Sequence, residues 1–89
     1  MRYQVTVLRN ASKALHRLHP DTVRRISEAV DLLESQPRPP GCLKIKAASG
    51  NRYRVRVGDY RILYTVDDKA CLVTVHRVVH RSEAYRSDN

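Results

Sequence analysis

The sequence lacks the features of a membrane or secreted protein. No apolar run approaches the roughly 20 residues that a membrane-spanning helix needs, and the N-terminal segment MRYQVTVLRN is too short and too polar for a signal peptide. The two cysteines belong to no CxxC or metal-ligand pattern, and we expect Cys71 to be a small core residue and Cys42 a loop thiol. We therefore expect a soluble cytosolic protein with one domain, residues 1–89, and a core too small for a deep substrate cavity.

Most catalytic arrangements are missing as well. There is no glycine-rich phosphate loop and no Ser/His/Asp arrangement, and His76 and His80 are separated by a strand-like segment that does not suit a metal site. No pair of carboxylates lies near the basic segments, which argues against glycosidase and metal-nuclease mechanisms. We expect no metal and no cofactor.

One sign of charge is in large excess. Seventeen lysines and arginines, thirteen of them arginines, stand against nine acidic residues and give a net charge of +8. Such a balance favours polyanionic partners, namely nucleic acid, a ribosome or an acidic protein. Charge alone does not choose among them, so the placement of the arginines has to decide.

The first half of the chain predicts a strand followed by a helical hairpin. The segment RYQVTVL (2–8) alternates apolar and polar residues, as a half-buried strand does. Asn10 resembles the N-cap of a short amphipathic helix ending near His19, and Pro20 suits the start of a second helix. The segment QPRPPG (36–41) ends that helix, because proline disfavours helix at and before its own position.

The second half predicts three antiparallel strands. A two-residue turn at Gly58-Asp59 sets the register of the first hairpin, with apolar residues paired on one side: Val57 with Tyr60, Val55 with Ile62, and Tyr53 with Tyr64. A one-residue slip would destroy all three pairs. A four-residue turn, DDKA (67–70), then places Val66 opposite Cys71, Tyr64 opposite Val73, and Ile62 opposite Val75. The expected fold is α+β, ordered β-α-α-β-β-β, with a helical hairpin packed on a small, mostly antiparallel four-stranded sheet.

The other side of the same pairings carries arginine. Arg56 is expected to lie opposite Arg61, and Arg61 opposite His76. Arg52 and Arg54 extend this row along the strand that carries Arg56. Like charges directly opposite destabilise a sheet, which suggests a surface kept for something negative. The alternative is a solvated outer face that happens to carry arginine.

The chain end adds cations and a phenol to this surface. In the expected register the last strand ends beside the Gly58-Asp59 turn, so that Arg81 and Tyr85 emerge close to Arg56 and Arg61. Arg77 alternates with the outward residues of its strand and is therefore expected on the core side. We assign it no catalytic role.

Arginine, histidine and tyrosine without a metal suit cleavage of RNA, because the substrate supplies its own nucleophile, the 2′-hydroxyl. Guanidinium groups would hold the phosphate and lower the pKa of Tyr85, which would act as the base in an open site. As the general acid, His80 or His76 is chemically easier than arginine. The alternatives are that Tyr85 only packs against the sheet end and that each histidine is an ordinary surface or hydrogen-bonded residue.

Two segments carry a resemblance to a known family. YRVRVGDYRILYTVDD followed by VHRVVHRSEAY is similar to the signature of the RelE/ParE superfamily of bacterial toxins, and ASKALHRL with HPDTVRRISEAVDLLE matches its helical hairpin. The resemblance covers essentially the whole chain. It implies a toxin blocked by a small antitoxin that wraps around it.

The family divides into two functions. RelE-like members cleave mRNA in the ribosomal decoding site, whereas ParE-like members poison DNA gyrase and lack the nuclease residues. Residues of the RelE-like branch correspond here to Arg54, Arg56, Arg61, Arg81 and Tyr85. The resemblance thus implies a metal-independent endoribonuclease with these catalytic and RNA-binding positions and with ribosome and mRNA as partners.

This sequence departs from the family pattern in two ways. Its second-strand cations are arginines where the enzymes typically have lysines, and Val79 stands where glycine is frequent. We therefore predict Arg56, Arg61, Arg81 and Tyr85 as catalytic residues, and Arg52, Arg54, His76 and His80 as RNA-binding residues. A gyrase inhibitor and a non-catalytic basic module remain as alternatives.

Overall fold

The computed structural model describes residues 2–45 and 51–83. Its elements, in chain order, are β1 (Gln4–Val7), α1 (Arg9–Leu15), α2 (Pro20–Leu32), β2 (Leu43–Lys44), β3 (Arg52–Val57), β4 (Tyr60–Asp67) and β5 (Leu72–His80). One helical turn at 81–83 follows β5. The strands form a single sheet in the order β1-β5-β4-β3-β2, antiparallel except for the parallel pair of β1 with β5.

The α+β architecture is the one predicted, with one strand more. The additional strand, β2, has two residues, and Leu43 and Lys44 pair with Arg54 and Tyr53 of β3. Two residues are too few to show the alternating pattern by which a strand is recognised in a sequence, so this strand could not be predicted.

The helices begin where their caps allow. Pro20 is the first residue of α2, and Nδ1 of His19 accepts a hydrogen bond from the Asp21 N–H at 3.2 Å. The prediction of Asn10 as an N-cap is wrong, because α1 starts at Arg9 after Leu8, whose side chain makes no capping bond. The first helix also ends at Leu15, earlier than predicted, and the chain then turns into α2.

The hydrophobic core lies between the helices and one face of the sheet. Ala11 of α1 and Ile26 of α2 are fully buried, together with sheet residues such as Ile62 and Val73. Cys71 is not in this core, contrary to prediction. It is half-buried in the turn before β5, where it adopts the left-handed backbone conformation with φ of 52°.

A polar cluster closes the core at the end of the sheet that carries the β4–β5 turn. Arg38 holds Asp68 of that turn through both terminal nitrogens, at 2.8 and 3.2 Å, and its Nε donates to the Tyr53 hydroxyl at 2.8 Å. The Tyr3 hydroxyl donates to the same carboxylate at 2.7 Å. The cluster therefore joins the segment after α2, the residue before β1 and the β4–β5 turn, and it orders the end opposite the β3–β4 turn.

The register of the β3–β4 hairpin is the predicted one. Val57 lies opposite Tyr60, Val55 opposite Ile62, and Tyr53 opposite Tyr64. Gly58 has φ of 59°, which the tight turn requires and which glycine adopts without a steric penalty. The rings of Tyr53 and Tyr64 stack with their centroids 5.8 Å apart, and this aromatic contact stabilises the observed register.

The register predicted for β4 and β5 is wrong. Val66 lies opposite Val73 and Tyr64 opposite Val75, two residues beyond the predicted partners, because the turn contains residues 68–71. A bulge then shifts the pairing by one further residue, and Ile62 lies opposite Val78. The two-residue shift leaves every side chain on its predicted face, whereas the bulge reverses the alternation beyond it.

Candidate functional site

The face of the sheet turned away from the helices is rich in cations. On β3 the arginines alternate with residues of the core face, and Arg61 alternates with the buried Ile62 on β4. Among the described residues of β3, β4 and β5, the one acidic side chain on this face is Asp67, the last residue of β4, at the end away from Arg56 and Arg61. We call its basic residues the cation face, and they are Arg52, Arg54, Arg56, Arg61, His76 and Arg77.

Three of the predicted catalytic residues come together at the β3–β4 turn. Arg56 lies directly opposite Arg61, and Nε of Arg56 donates to the carbonyl oxygen of Gly58 at 3.3 Å. The backbone N–H of Arg81 donates to the carbonyl oxygen of Asp59 at 2.7 Å, so the prediction that Arg81 emerges beside this turn is confirmed. One short turn thus positions cationic residues from three successive segments of the chain.

Arg61 has an unsatisfied donor. Its Nη1 is buried and makes no hydrogen bond within the described part of the chain. A buried charged donor without an acceptor costs free energy, so this nitrogen destabilises the hairpin. Its strand partner on β5 is Val79, which contradicts the predicted pairing with His76.

His76 lies at the opposite end of the cation face. Its Nε2 is 3.1 Å from Oγ1 of Thr65, and Thr65 pairs with Arg52 on β3. Burial and then the nearby Arg52 guanidinium lower the pKa of His76. The lowered pKa favours the neutral imidazole, which can offer a hydrogen bond to RNA.

The structure does not bring His80 to the cation face. Its ring meets Tyr60 edge-on, with centroids 5.3 Å apart, on the side where Tyr60 packs against the core. Its Nδ1 accepts from the Ser82 N–H at 3.3 Å and lies 3.0 Å from the Ser82 hydroxyl. This histidine caps the last helical turn from the helix side of the sheet.

Sequence reasoning missed Arg77. Its parity predicted the core side, but the bulge turns it outward, and it is exposed opposite Leu63 on the cation face. The signal was present in the spacing of the buried valines, which changes from two residues between Val73 and Val75 to three between Val75 and Val78. Such a change within one strand is the pattern that a bulge produces.

The remaining predicted residue, Tyr85, lies outside the described residues. The last described segment, the helical turn at 81–83, starts at the Asp59 carbonyl. No helix within the described ranges is long and apolar enough to cross a membrane.

Comparisons with known proteins agree with this architecture. The sequence model of the ParE toxin of the type II toxin–antitoxin system parDE matches residues 5–85. The toxin RelG of Mycobacterium tuberculosis is 33% identical over 87 residues, which cover 97% of this chain and 99% of that protein.

Solved structures of toxin–antitoxin complexes contain chains with a similar fold. The archaeal RelE–RelB complex from Pyrococcus horikoshii contains a chain that is 32% identical with a TM-score of 0.82, covering 91% of this chain and 97% of that one. The toxin–antitoxin complex RelBE2 from Mycobacterium tuberculosis contains a chain that is 28% identical with a TM-score of 0.79, covering 91% and 100%. The chain belongs to the RelE/ParE superfamily of toxins of type II toxin–antitoxin systems, on its RelE-like branch.

Proposed function

We propose that this protein is a ribosome-dependent endoribonuclease that cleaves mRNA and thereby inhibits translation. The observation that carries the proposal is the opposed pair of Arg56 and Arg61, with Arg81 bound to the same turn. Two guanidinium groups placed across from each other destabilise the sheet unless an anion lies between them. A scissile phosphate is an anion whose oxygens match the planar donor set of arginine.

The proposed reaction uses the RNA's own nucleophile. The 2′-oxygen attacks the adjacent phosphorus and gives up its proton to the Tyr85 phenolate, while the bond from phosphorus to the 5′-oxygen breaks and that oxygen takes a proton from a water molecule. The products are a 2′,3′-cyclic phosphate and a 5′-hydroxyl. The arginines stabilise the negative charge that builds up on the phosphate oxygens in the transition state.

The ribosome is part of the proposal because the described chain offers no deep cleft. The basic side chains of the cation face are exposed or half-buried on a sheet surface, and such a surface binds a flexible single strand without fixing the angle of attack. A ribosome that presents the mRNA in a defined conformation supplies the missing orientation, which can account for many orders of magnitude in rate. We therefore expect little activity on free RNA.

Programmed ribosomes provide the test. The wild type is expected to cut the mRNA, whereas Arg61→Ala and Tyr85→Phe are expected to lose most of that activity. Arg17→Ala is the matched control, since it removes one exposed arginine outside the cation face. Equal cleavage by all four proteins would refute the proposed site.

Gyrase inhibition is the alternative that the ParE family match favours. That function needs no phenol chemistry, so Tyr85→Phe would stay toxic. Supercoiling would stop before protein synthesis does. Following both processes in a bacterium after induction of the gene separates the two functions.

We also propose a cognate antitoxin as partner. Relatives with the same fold were solved as RelE–RelB and RelBE2 complexes, and a chain with a net charge of +8 favours an acidic or amphipathic segment that covers its basic surface. Co-purification from a two-gene expression plasmid is the test. A protein that expresses alone without arresting growth would contradict both the antitoxin and the toxic activity.

A further inference from the structure

We propose that Arg77 is an RNA-binding residue that, together with Arg54, binds the phosphate backbone of the substrate strand beside the proposed scissile site. The inference rests on the proposed function, since it assigns a second contact to the same RNA. It concerns binding only, and Arg77 takes no part in the bond-breaking step.

The bulge in β5 is what creates this contact. His76 has no direct partner on β4, because the pairing passes from Tyr64 with Val75 to Leu63 with Arg77. His76 and Arg77, although adjacent in sequence, therefore both lie on the cation face. A regular strand would have turned one of them into the core.

The residues around Arg77 form a row across three strands. Leu63 lies between Arg54 on one side and Arg77 on the other, and with neighbouring strands about 4.8 Å apart the two arginines stand about 10 Å from each other. The half-buried Leu63 gives this row an apolar centre. A single strand of RNA has this alternation of charged backbone and apolar base faces.

The row continues the catalytic end of the face. Arg54 is two residues from Arg56 on β3, about 7 Å along the strand, and Arg77 is two residues from Val79, the partner of Arg61. An RNA strand whose scissile phosphate lies between Arg56 and Arg61, and which continues over Leu63, passes between Arg54 and Arg77. This path runs along β4 toward the end of the face where Arg52 and His76 lie.

The substrate class is single-stranded RNA rather than a duplex. The cation face is the exposed side of a small sheet, and the apolar side chain at its centre can contact a base only if that base is unpaired. An acidic protein segment could also contact the arginines, but its carboxylates do not have the regular spacing of the phosphates along an RNA strand. The experiment therefore includes both ligands.

The test uses a labelled 2′-O-methyl RNA oligonucleotide, which cannot be cleaved, and fluorescence anisotropy at several salt concentrations. Arg77→Ala is expected to weaken binding about fivefold and to reduce the slope of log K against log salt by about 0.7, the value for one phosphate contact on a single strand. Arg77→Lys should restore the slope. Arg17→Ala, the matched control, should leave both the affinity and the slope close to those of the wild type.

The same variants are then assayed on programmed ribosomes. Arg77→Ala is expected to raise the KM for ribosome-bound mRNA about fivefold and to leave kcat within about twofold, because a contact made equally in the ground state and the transition state changes binding without changing the chemical step. An equal loss of affinity in Arg17→Ala and Arg77→Ala would overturn the inference, as would Arg77-dependent binding of an Asp/Glu-rich peptide of equal charge without RNA binding.

Failure of the inference and failure of the proposed function look different. If Arg77→Ala changes neither the salt slope nor KM while Arg61→Ala abolishes cleavage, only the role of Arg77 is refuted. If the wild type binds the oligonucleotide through Arg77 but cuts no mRNA on ribosomes, the endoribonuclease is refuted and the RNA contact stands.

Discussion

Arg56 and Arg61 lie directly opposite each other on the two strands of the β3–β4 hairpin, and both point away from the core. This is an unfavourable pair, since like charges at opposed positions of a sheet repel. The hairpin keeps it because three apolar pairs on the other face fix the register, and no slip could separate the arginines without exposing those pairs. The sheet thus holds its cations close together before any ligand arrives.

Removal of one charge from this pair should stabilise the protein. Arg61→Met keeps most of the length of the side chain but removes both the repulsion and the buried Nη1 that lacks an acceptor. We expect the free energy of unfolding to rise by about 1 kcal/mol, while cleavage on ribosomes falls. Urea denaturation followed by circular dichroism measures the first effect.

Arg52→Met is the matched control for that measurement. Arg52 is on the same face as Arg61 and on the same strand as Arg56, but it lies opposite Thr65, so the same substitution relieves no repulsion between opposed arginines. We expect its unfolding free energy to stay within about 0.5 kcal/mol of the wild type, as for most surface substitutions. A gain in Arg52→Met equal to that in Arg61→Met would show that total charge, and not the opposed pair, limits stability.

The parts of the fold that the sequence predicted are those set by local pattern. The turn at Gly58-Asp59 and three apolar pairs left one register for the β3–β4 hairpin, and the structure has that register. The bulge at His76 is marked only by the change in valine spacing, which is a weaker signal than a turn with three apolar pairs, because one extra residue costs little and its position depends on how the neighbouring side chains pack. Its consequence for the candidate site is large, since it moves Arg77 onto the cation face and separates His76 from Arg61.

The candidate site was predictable in part for the same reason. Arg52, Arg54, Arg56 and Arg61 follow strand alternation, and they lie together as expected. His80 does not join them, because the reversed alternation beyond the bulge turns it toward Tyr60 on the helix side. Sequence alternation gives the correct face only as far as the first irregularity of a strand.

Variants of two tyrosines should separate an effect on the cleavage rate from an effect on stability. Tyr64→Phe removes the buried hydroxyl that donates to the Pro37 carbonyl oxygen at 2.8 Å, and burial raises the pKa of this phenol, so it stays protonated and acts only as a donor. We expect this variant to lose about 1 kcal/mol of unfolding free energy and to keep its cleavage rate. Tyr85→Phe should keep its stability and lose its cleavage rate.

Both quantities are to be measured on both variants, at a temperature well below the unfolding transition. If Tyr64→Phe lost activity while remaining folded, the phenol that matters would lie in the core, and the assignment of the base to Tyr85 would fail. A normal rate in Tyr85→Phe would have the same consequence.

The polar cluster around Asp68 predicts a loss of stability in acid. Hydrogen bonds from Arg38 and then from Tyr3 lower the pKa of the Asp68 carboxyl below its usual value. A carboxyl with a lowered folded-state pKa stabilises the fold above its unfolded value, about 3.9, and that contribution disappears as the pH falls through the folded-state pKa. We expect Asp68→Asn to have a lower Tm than the wild type at pH 7 and a difference that shrinks toward pH 2.

Asp31→Asn provides the control for this pH dependence. Asp31 is exposed on α2, so the substitution makes the same change in net charge without touching the cluster. Thermal unfolding of the three proteins between pH 2 and pH 8 gives the comparison. A constant difference between wild type and Asp68→Asn across this range would mean that the carboxylate charge contributes nothing to the cluster.

His76 predicts a second pH effect, on the cation face itself. Burial and then the charge of Arg52 lower the pKa of His76 from its ordinary value of 6.5. Between the lowered folded-state pKa and 6.5 the unfolded chain binds more protons, so stability rises with pH across this window and falls as the pH drops below 6.5. Arg52→Ala removes the charge but not the burial, and we expect it to raise the pKa of His76 part of the way toward 6.5.

An NMR titration of the His76 ring in wild type, Arg52→Ala and Arg17→Ala measures this directly. Arg17→Ala removes an equal charge away from the cation face and should leave the midpoint in place. Addition of the 2′-O-methyl oligonucleotide should raise the midpoint in the wild type, because bound phosphates favour the imidazolium form. An unchanged midpoint on saturation with RNA would place the bound strand away from His76 and contradict the direction of the strand inferred from Arg54 and Arg77.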